Sequence, residues 1–390
     1  MANGDPNTNT IIARSFHTNI VKFLRQAEKA CFRKFPVTDE ILRRGRVKYN
    51  QGGLGLQWEV QYKLHPTVGN DGTTPLTFAQ HDQWLNASLP YRGFACTDSI
   101  YEKEMLENRG EEALVKVFGT MTSRMQKSME ESFKFMPYRD GSSASDKLPM
   151  GLETMMALTG TLDLSNAAGP ATRAANAADL VGWPTGTYAG LNSTLGNYGG
   201  SYRSTISTTA GSYMNWPAGQ ADPEFDFWTP IVGNYDSDSL PATTHTWAGQ
   251  ANAAIRFTHD HLMRNGNGGA DANLCVMERT MYTDLCTLQD SKEQVVVTEA
   301  KPGARQYGNG PAIYVDTLKC QADYAITSRV AYIINLDDVE LVSMYPTLFK
   351  TNTEPDYDMA SQSYRYASLA LLNLKFSSPA KYAKLAMLAT

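Results

Sequence analysis

The sequence predicts an α+β fold, ordered as a helical and extended N-terminal third, a middle α/β unit and a β-rich C-terminal return. Three observations predict it. Apolar residues recur at helical spacing over 11–35 and 111–136, they alternate with polar ones over 56–64, and short strand-like runs crowd the chain after Asn273. At 390 residues the chain is long enough for two or three compact regions. It is 42% hydrophobic and 19% charged, a globular rather than a disordered composition.

Residues 11–35 space Ile12, Phe16, Ile20, Phe23, Leu24, Ala27 and Cys31 three to four apart, which predicts an amphipathic helix. Its apolar stripe needs a partner that the neighbouring sequence does not offer. Over 1–50, ten Lys or Arg, among them Arg43, Arg44 and Arg46, stand against four acids. That segment is therefore +6, and the other 340 residues carry −11 of the net −5. A basic arm on an acidic body suits an anionic partner, nucleic acid or an acidic protein face; a solvated helix face is the plainer reading. The basic residues have no interleaved aromatics, so any nucleic-acid contact is expected to be electrostatic and blind to sequence.

Leu56, Trp58, Val60, Tyr62 and Leu64 alternate with Gln57, Glu59, Gln61 and Lys63, the period of a half-buried strand. The turn-formers of HPTVGNDGTTP break it, and the chain climbs back past Trp84 to a return strand at about 88–100. The result is a long two-stranded arm. A two-stranded ribbon is marginal in water, so its apolar side needs cover from this chain or from a neighbour.

Tyr101–Gly110 reads as a short helix with a glycine stop. Glu111–Met136 reads as a long one, a rod of about 39 Å at 1.5 Å per residue. Glu111 and Glu112 suit its positive end. Leu114, Phe118, Met121, Met125, Met129, Phe133 and Met136 form one stripe, and Arg124, Lys127, Glu130, Glu131 and Lys134 are expected to face away. A Met-rich stripe serves either as a binding surface or as a core seam; the seam is the expectation here.

Residues 137–245 are rich in Gly, Ser, Thr, Ala and Asn with little periodicity beyond a short helix in GLETMMALTG. Trp183, Tyr188, Tyr198, Tyr202, Tyr213, Trp216 and Phe225 argue for ordered, irregular loops, because disordered linkers are poor in aromatics. Then come a helix at 247–264, a strand in NLCVM and a helix at 278–294. Strands follow in VVVTEA, PAIYVDTL, RVAYIIN and VELVSMY, with more strand-like sequence in the last 40 residues.

The five cysteines are scattered, with no CxxC, as expected of buried thiols in a reducing compartment. The polar start MANGDPNTNT predicts no secretory signal, and no run of about 18 apolar residues predicts a membrane span. There is no GxxxxGK[ST], no strand leading into GxGxxG and no GxSxG. His259-Asp260-His261 is the one histidine cluster, and on a helix positions i and i+2 diverge, a poor metal pair. No catalytic residue, metal or cofactor is expected, and the chain does not read as an enzyme.

The order of parts (basic arm, long two-stranded loop, spine helix, irregular α/β middle, β-rich return) resembles the major capsid protein of tailed bacteriophages, the Hong Kong 97-type fold. Tyr198, Gly199, Gly200, Arg203 and Ser204 resemble the Tyr-Gly-Gly-x-x-Arg-Ser stretch of one branch of those proteins, and 251–288 resembles the helix–strand–helix that follows it. The resemblance covers most of the chain and rests on order and texture. It implies an N-terminal arm at 1–49, an extended loop at 50–98, a peripheral domain with the spine helix at 99–147, an axial domain at 148–340 and return strands of the peripheral domain at 341–390. It implies a structural subunit that assembles with itself, in hexamers and pentamers, into an icosahedral head around double-stranded DNA. Portal, scaffolding and decoration proteins would be its partners, the host bacterial cytoplasm its place of assembly and the virion its destination. No scaffolding-type domain precedes the arm, so scaffolding would be a separate protein.

In that setting Trp58, Tyr62 and Trp84 of the loop and Phe16, Ile20 and Phe23 of the arm would make inter-subunit contacts. Arg43, Arg44 and Arg46 would line the inner surface, facing DNA or an acidic scaffold. Some members join subunits through a Lys–Asn isopeptide bond; Lys63 lies on the loop where such a Lys sits, but no Asn or catalytic Glu can be matched to it. Two alternatives stay open: an encapsulin-like nanocompartment shell of the same fold, and a soluble glycan-binding or enzymatic protein using the aromatic-rich 183–228 region.

Overall fold

The computed structural model describes residues 35–62, 72, 80, 82–107, 111–143, 146–156, 181–182, 186–193, 205–206, 214–215, 227–235, 240, 246–263, 272–290, 313–326, 329–351 and 356–387. The helix expected over 11–35 lies outside the described residues save Phe35, and the strand expected in VVVTEA lies wholly outside them. The first strands are β1 (Val47–Lys48), β2 (Gly55–Gln61), β3 (Trp84–Pro90) and β4 (Arg92–Tyr101). Five two-residue strands follow in the middle, β5 (Val181–Gly182), β6 (Thr187–Tyr188), β7 (Leu191–Asn192), β8 (Thr205–Ile206) and β9 (Met214–Asn215), and then the four-residue β10 (Ile231–Asn234). Next come β11 (Leu274–Met277), β12 (Ile313–Val315), β13 (Leu318–Ala322), β14 (Ala331–Ile334) and β15 (Val339–Ser343). The last are β16 (Lys350–Thr351), β17 (Asp356–Asp358), β18 (Ser363–Phe376) and β19 (Ala383–Ala386). The helices are α1 (Pro36–Arg43), α2 (Glu102–Glu107), α3 (Glu111–Phe135), α4 (Leu152–Met156), α5 (Trp247–Leu262) and α6 (Arg279–Asp290).

The residues group into two units. One takes in Met1–Gly55, Pro90–Met150 and Glu340–Lys375; the other takes in Leu56–Leu89, Gly151–Val339 and Phe376–Thr390. In the first, β18 is the axis of a six-stranded sheet, bonded to β15, β16, β17 and β4, with β1 on the far side of β15. β4 runs antiparallel to β18 from Arg92↔Leu372 to Tyr101↔Ser363. The two backbones come so close at Gly93 that a Cβ there would sit 1.8 Å from the Ala370 carbonyl oxygen. The buried Asn373 ties three segments together: its Oδ1 accepts from the Met150 and Leu374 amides, and its Nδ2 donates to the Pro90 carbonyl at 2.9 Å.

α3, the long helix expected over 111–136, packs on β4. Met121, Met125, Met129, Phe133 and Met136 are buried, so the methionine stripe is a core seam. Glu130 departs from the outward orientation expected of it and is buried. At about 100° per residue its azimuth lies about 60° from that of Phe133, at the margin of the stripe. Pro137 ends the helix in a 3-10 turn, Met136–Tyr138. α1 was not foreseen as a separate helix: Pro36 opens it, and Val37 and Ile41, one turn apart, bury its inner face.

The second unit is built on a seven-stranded mixed sheet, β12-β13-β11-β14-β19-β10-β5. α5 and α6 pack on each other and on the sheet, joining a core with Ile231, Cys275, Met277, Cys320, Ala331, Ile333, Ala383 and Leu385. The alternate residue Lys384 meets Glu153 of α4 at 2.6 Å, and the Tyr332 hydroxyl donates to the same carboxylate. α5 lies so close to β10 that a Cβ at Gly233 would fall 2.1 Å from Thr258 Oγ1. Trp247 bonds the Met281 carbonyl at 2.8 Å and meets Tyr235 edge to face, which fixes the start of α5.

Two expectations are corrected here. PAIYVDTL is not one strand but the hairpin β12–β13, turned at Asp316 with φ of 54°. The return over 341–390 does not stay with the first unit: β19 pairs with β10 and β14 in the seven-stranded sheet.

Candidate inter-subunit surfaces

β2 and β3 form the expected ribbon as a sheet of their own. The Tyr62 amide donates to the Gln83 carbonyl at 3.0 Å, closing the end of β2 against the start of β3. The return strand is shorter than expected, because the chain leaves the ribbon at Pro90 and Arg92 begins β4 in the other sheet. The ribbon's base is covered by its own unit. Ala87 and Leu89 are fully buried, and the Ser88 amide donates at 2.9 Å to the carbonyl of Ala189. Ala189 and Gly190 both have positive φ and turn β6 into β7.

The three ribbon aromatics differ in their surroundings. Trp58 is half-buried, and its indole N–H donates to the Ser377 carbonyl at 3.0 Å. Tyr62 is half-buried. Trp84 is 53% exposed, and Leu54 at the entry to the ribbon is fully exposed. The loop tip with Lys63 lies outside the described residues apart from Gly72 and Gln80, as do Phe16, Ile20 and Phe23.

Arg43 and Arg46 of the arginine trio form ion pairs within the chain. Arg43 meets Asp39 one helical turn away at 2.7 Å, with its side chain still 67% exposed. Arg46 lies 3.8 Å from Glu340, and Arg44 is exposed. Glu340 also receives Lys48 at 2.8 Å and Lys375 at 3.6 Å. Burial pushes its carboxyl up, but the Lys48 hydrogen bond and the charges of Lys375, Lys48 and Arg46 outweigh this and hold it below the ordinary range. This cluster fastens β1 where it pairs parallel with β15.

A surface absent from the sequence reading lies in the first unit. Tyr101, Tyr357 and Met359 are exposed, the Tyr357 ring meets Tyr364 at a tilt with centroids 5.0 Å apart, and its hydroxyl donates to Glu102 at 2.6 Å. The pairing of β4 with β18 brings Tyr101 to the β17–β18 hairpin from a segment distant in sequence, so no local pattern announces it.

Among the described residues no group of three or more His, Cys, Asp or Glu could hold a metal. His259 is buried in α5, and burial lowers its pKa against the pull of Asp260 and Asp316. No helix among the described residues is long and apolar enough to cross a membrane.

No family model and no curated protein matches the sequence. Solved structures do match. The chain of the cyanophage A-1(L) capsid asymmetric unit matches with a TM-score of 0.51 at 14% identity, covering 87% of this chain and 89% of that one. This chain has a phage capsid fold. The capsid of the native GTA particle matches at 10% identity and a TM-score of 0.48, over 89% of each chain. The capsid of Myoviridae phage XM1 matches at 11% and 0.43, over 88% of this chain and 90% of that one. The six-stranded sheet with α3 and the seven-stranded sheet with α5 and α6 are the two structural bodies, and the β2–β3 ribbon belongs to the second of them.

Proposed function

We propose that the chain is the major capsid protein of a tailed phage, a Hong Kong 97-type subunit that assembles with copies of itself into an icosahedral shell around double-stranded DNA. The capsid fold held over 87% of the chain carries this reading. The unit with the spine helix is the peripheral domain and the unit with the seven-stranded sheet is the axial domain. β2 and β3 are the base of the extended loop. With β19 in the seven-stranded sheet, we assign Phe376–Thr390 to the axial domain and keep 341–375 as the peripheral return.

The role is structural rather than enzymatic. Trp84, Tyr62 and the outward parts of the ribbon meet a neighbouring subunit, as do the arm residues Phe16, Ile20 and Phe23. Aromatic anchors commonly dominate interface energies. Trp58 acts differently: bonded to Ser377, it sets the direction in which the ribbon leaves its own subunit. Arg43, Arg44 and Arg46 face inward, and Arg43 and Arg44 supply the salt-sensitive contact to DNA or to an acidic scaffold. Hexamers and pentamers, a portal, scaffolding and decoration proteins, assembly in the host cytoplasm and residence in the virion belong to the same reading.

Sedimentation of the purified chain over a range of concentration and salt tests it. Large closed particles are expected, with nucleic acid as the co-purifying material. A monomer under every condition overturns the reading, and particles filled with one bound enzyme would point to a nanocompartment instead.

A further inference from the structure

Two thiols in the axial sheet have no part in the shell surfaces. Cys275 of β11 and Cys320 of β13 are Cα partners across a parallel ladder, and both are fully buried. Residues opposed in register on neighbouring strands project to the same face. Here that face is the core beneath α5 and α6. Neighbouring strands lie about 4.8 Å apart, inside the roughly 4.4–6.8 Å Cα separation that a disulfide spans. Both cysteines are free thiols.

The two groups touch each other. A hydrogen bond to Cys320, and then burial, push the Cys275 thiol well above its ordinary range. A third thiol, Cys286 on α6, is half-buried and bonded to Tyr282. Burial, followed by the Cys286 and Cys320 charges, raises the Tyr282 phenol to about 12. Of the described cysteines, Cys275 and Cys320 alone face each other from adjacent strands in register.

We propose that Cys275 and Cys320 are an oxidation site, joining in one disulfide within the subunit when the protein meets a peroxide. One thiolate attacks the peroxide, the O–O bond breaks, and a sulfenic acid and water are formed. The second thiol then attacks that sulfur, the S–O bond breaks, and a second water leaves. Two thiols thus lose two electrons to one peroxide, which is reduced to two waters. Because thiolate is the reacting form and burial opposes it, the reaction is slow at neutral pH and quickens as pH rises. The link closes a loop of roughly 45 residues that includes α6, and cross-braces β11 to β13. This inference concerns the axial core and stands whether or not shells form.

The test uses the intact chain. It is treated with hydrogen peroxide, alkylated in denaturant and digested without reductant, and its peptides are weighed. The expected result is one linked Cys275–Cys320 peptide, lighter by two hydrogens than its parts and lost on reduction. A rise in Tm on the order of several degrees should accompany it. Cys286→Ala should leave the link in place and Cys320→Ser should abolish it. If both thiols of the wild-type chain are still alkylated after oxidation, or if the bridge runs through Cys286, the proposal fails, and the wild-type result decides this even if a variant does not fold.

Discussion

Trp58 and Trp84 belong to one ribbon and sit in two different environments. Trp58 holds the Ser377 carbonyl, and Trp84 stands 53% exposed. Trp58→Ala should therefore lower Tm, through a lost hydrogen bond of about 1 kcal/mol and lost packing. Trp84→Ala should leave stability within about 0.5 kcal/mol of wild type and raise the concentration at which light scattering reports assembly. An unchanged threshold would remove Trp84 from the interface. Glu340 makes a separate prediction about pH. Its folded-state pKa lies below the ordinary 4.5, so its stabilising contribution is complete above that value and is lost as pH falls through the lowered one. Glu340→Gln should be less stable than wild type at neutral pH, and the gap should close in acid. A gap that persists at the lowest pH would show that lost packing, rather than charge, is responsible.

At the scale of elements, the junction of β4 with β18 is the tightest seam described. Gly93→Ala should destabilise the chain by about 1–3 kcal/mol or more, read as a fall in Tm, because the added methyl meets backbone rather than a movable side chain. A neutral result would mean that the strands part there at little cost. Elements with a clear local pattern were legible in the sequence: α3, β2, α5, β11, α6, β14, β15 and β18 all lie where the sequence placed them. Elements set by tertiary partners were not. β10 has four residues, two of them Val232 and Gly233, and is a strand because β19 and α5 close over it. Asp316 hides a turn inside PAIYVDTL because only its backbone φ reveals it. The candidate surfaces were legible in part. Alternation marked the ribbon, but neither the attachment of Trp58 to Ser377, 319 residues away, nor the Tyr101–Tyr357–Met359 patch has any local signature.

For the molecule as a whole, the charge imbalance and the ribbon point the same way. The first 50 residues carry +6 and the remainder −11, the imbalance on which the proposed contact with a polyanion rests. The ribbon base is secured to its own unit by the Tyr62–Gln83 and Ser88–Ala189 bonds and by the buried Ala87 and Leu89. Negative-stain microscopy of the full chain beside a variant lacking 65–82 tests the central claim most directly. The account predicts closed shells from the full chain, and from the variant a subunit with unchanged Tm that forms none. Shells of normal yield from the variant, or a full chain that stays single at high concentration, would contradict it.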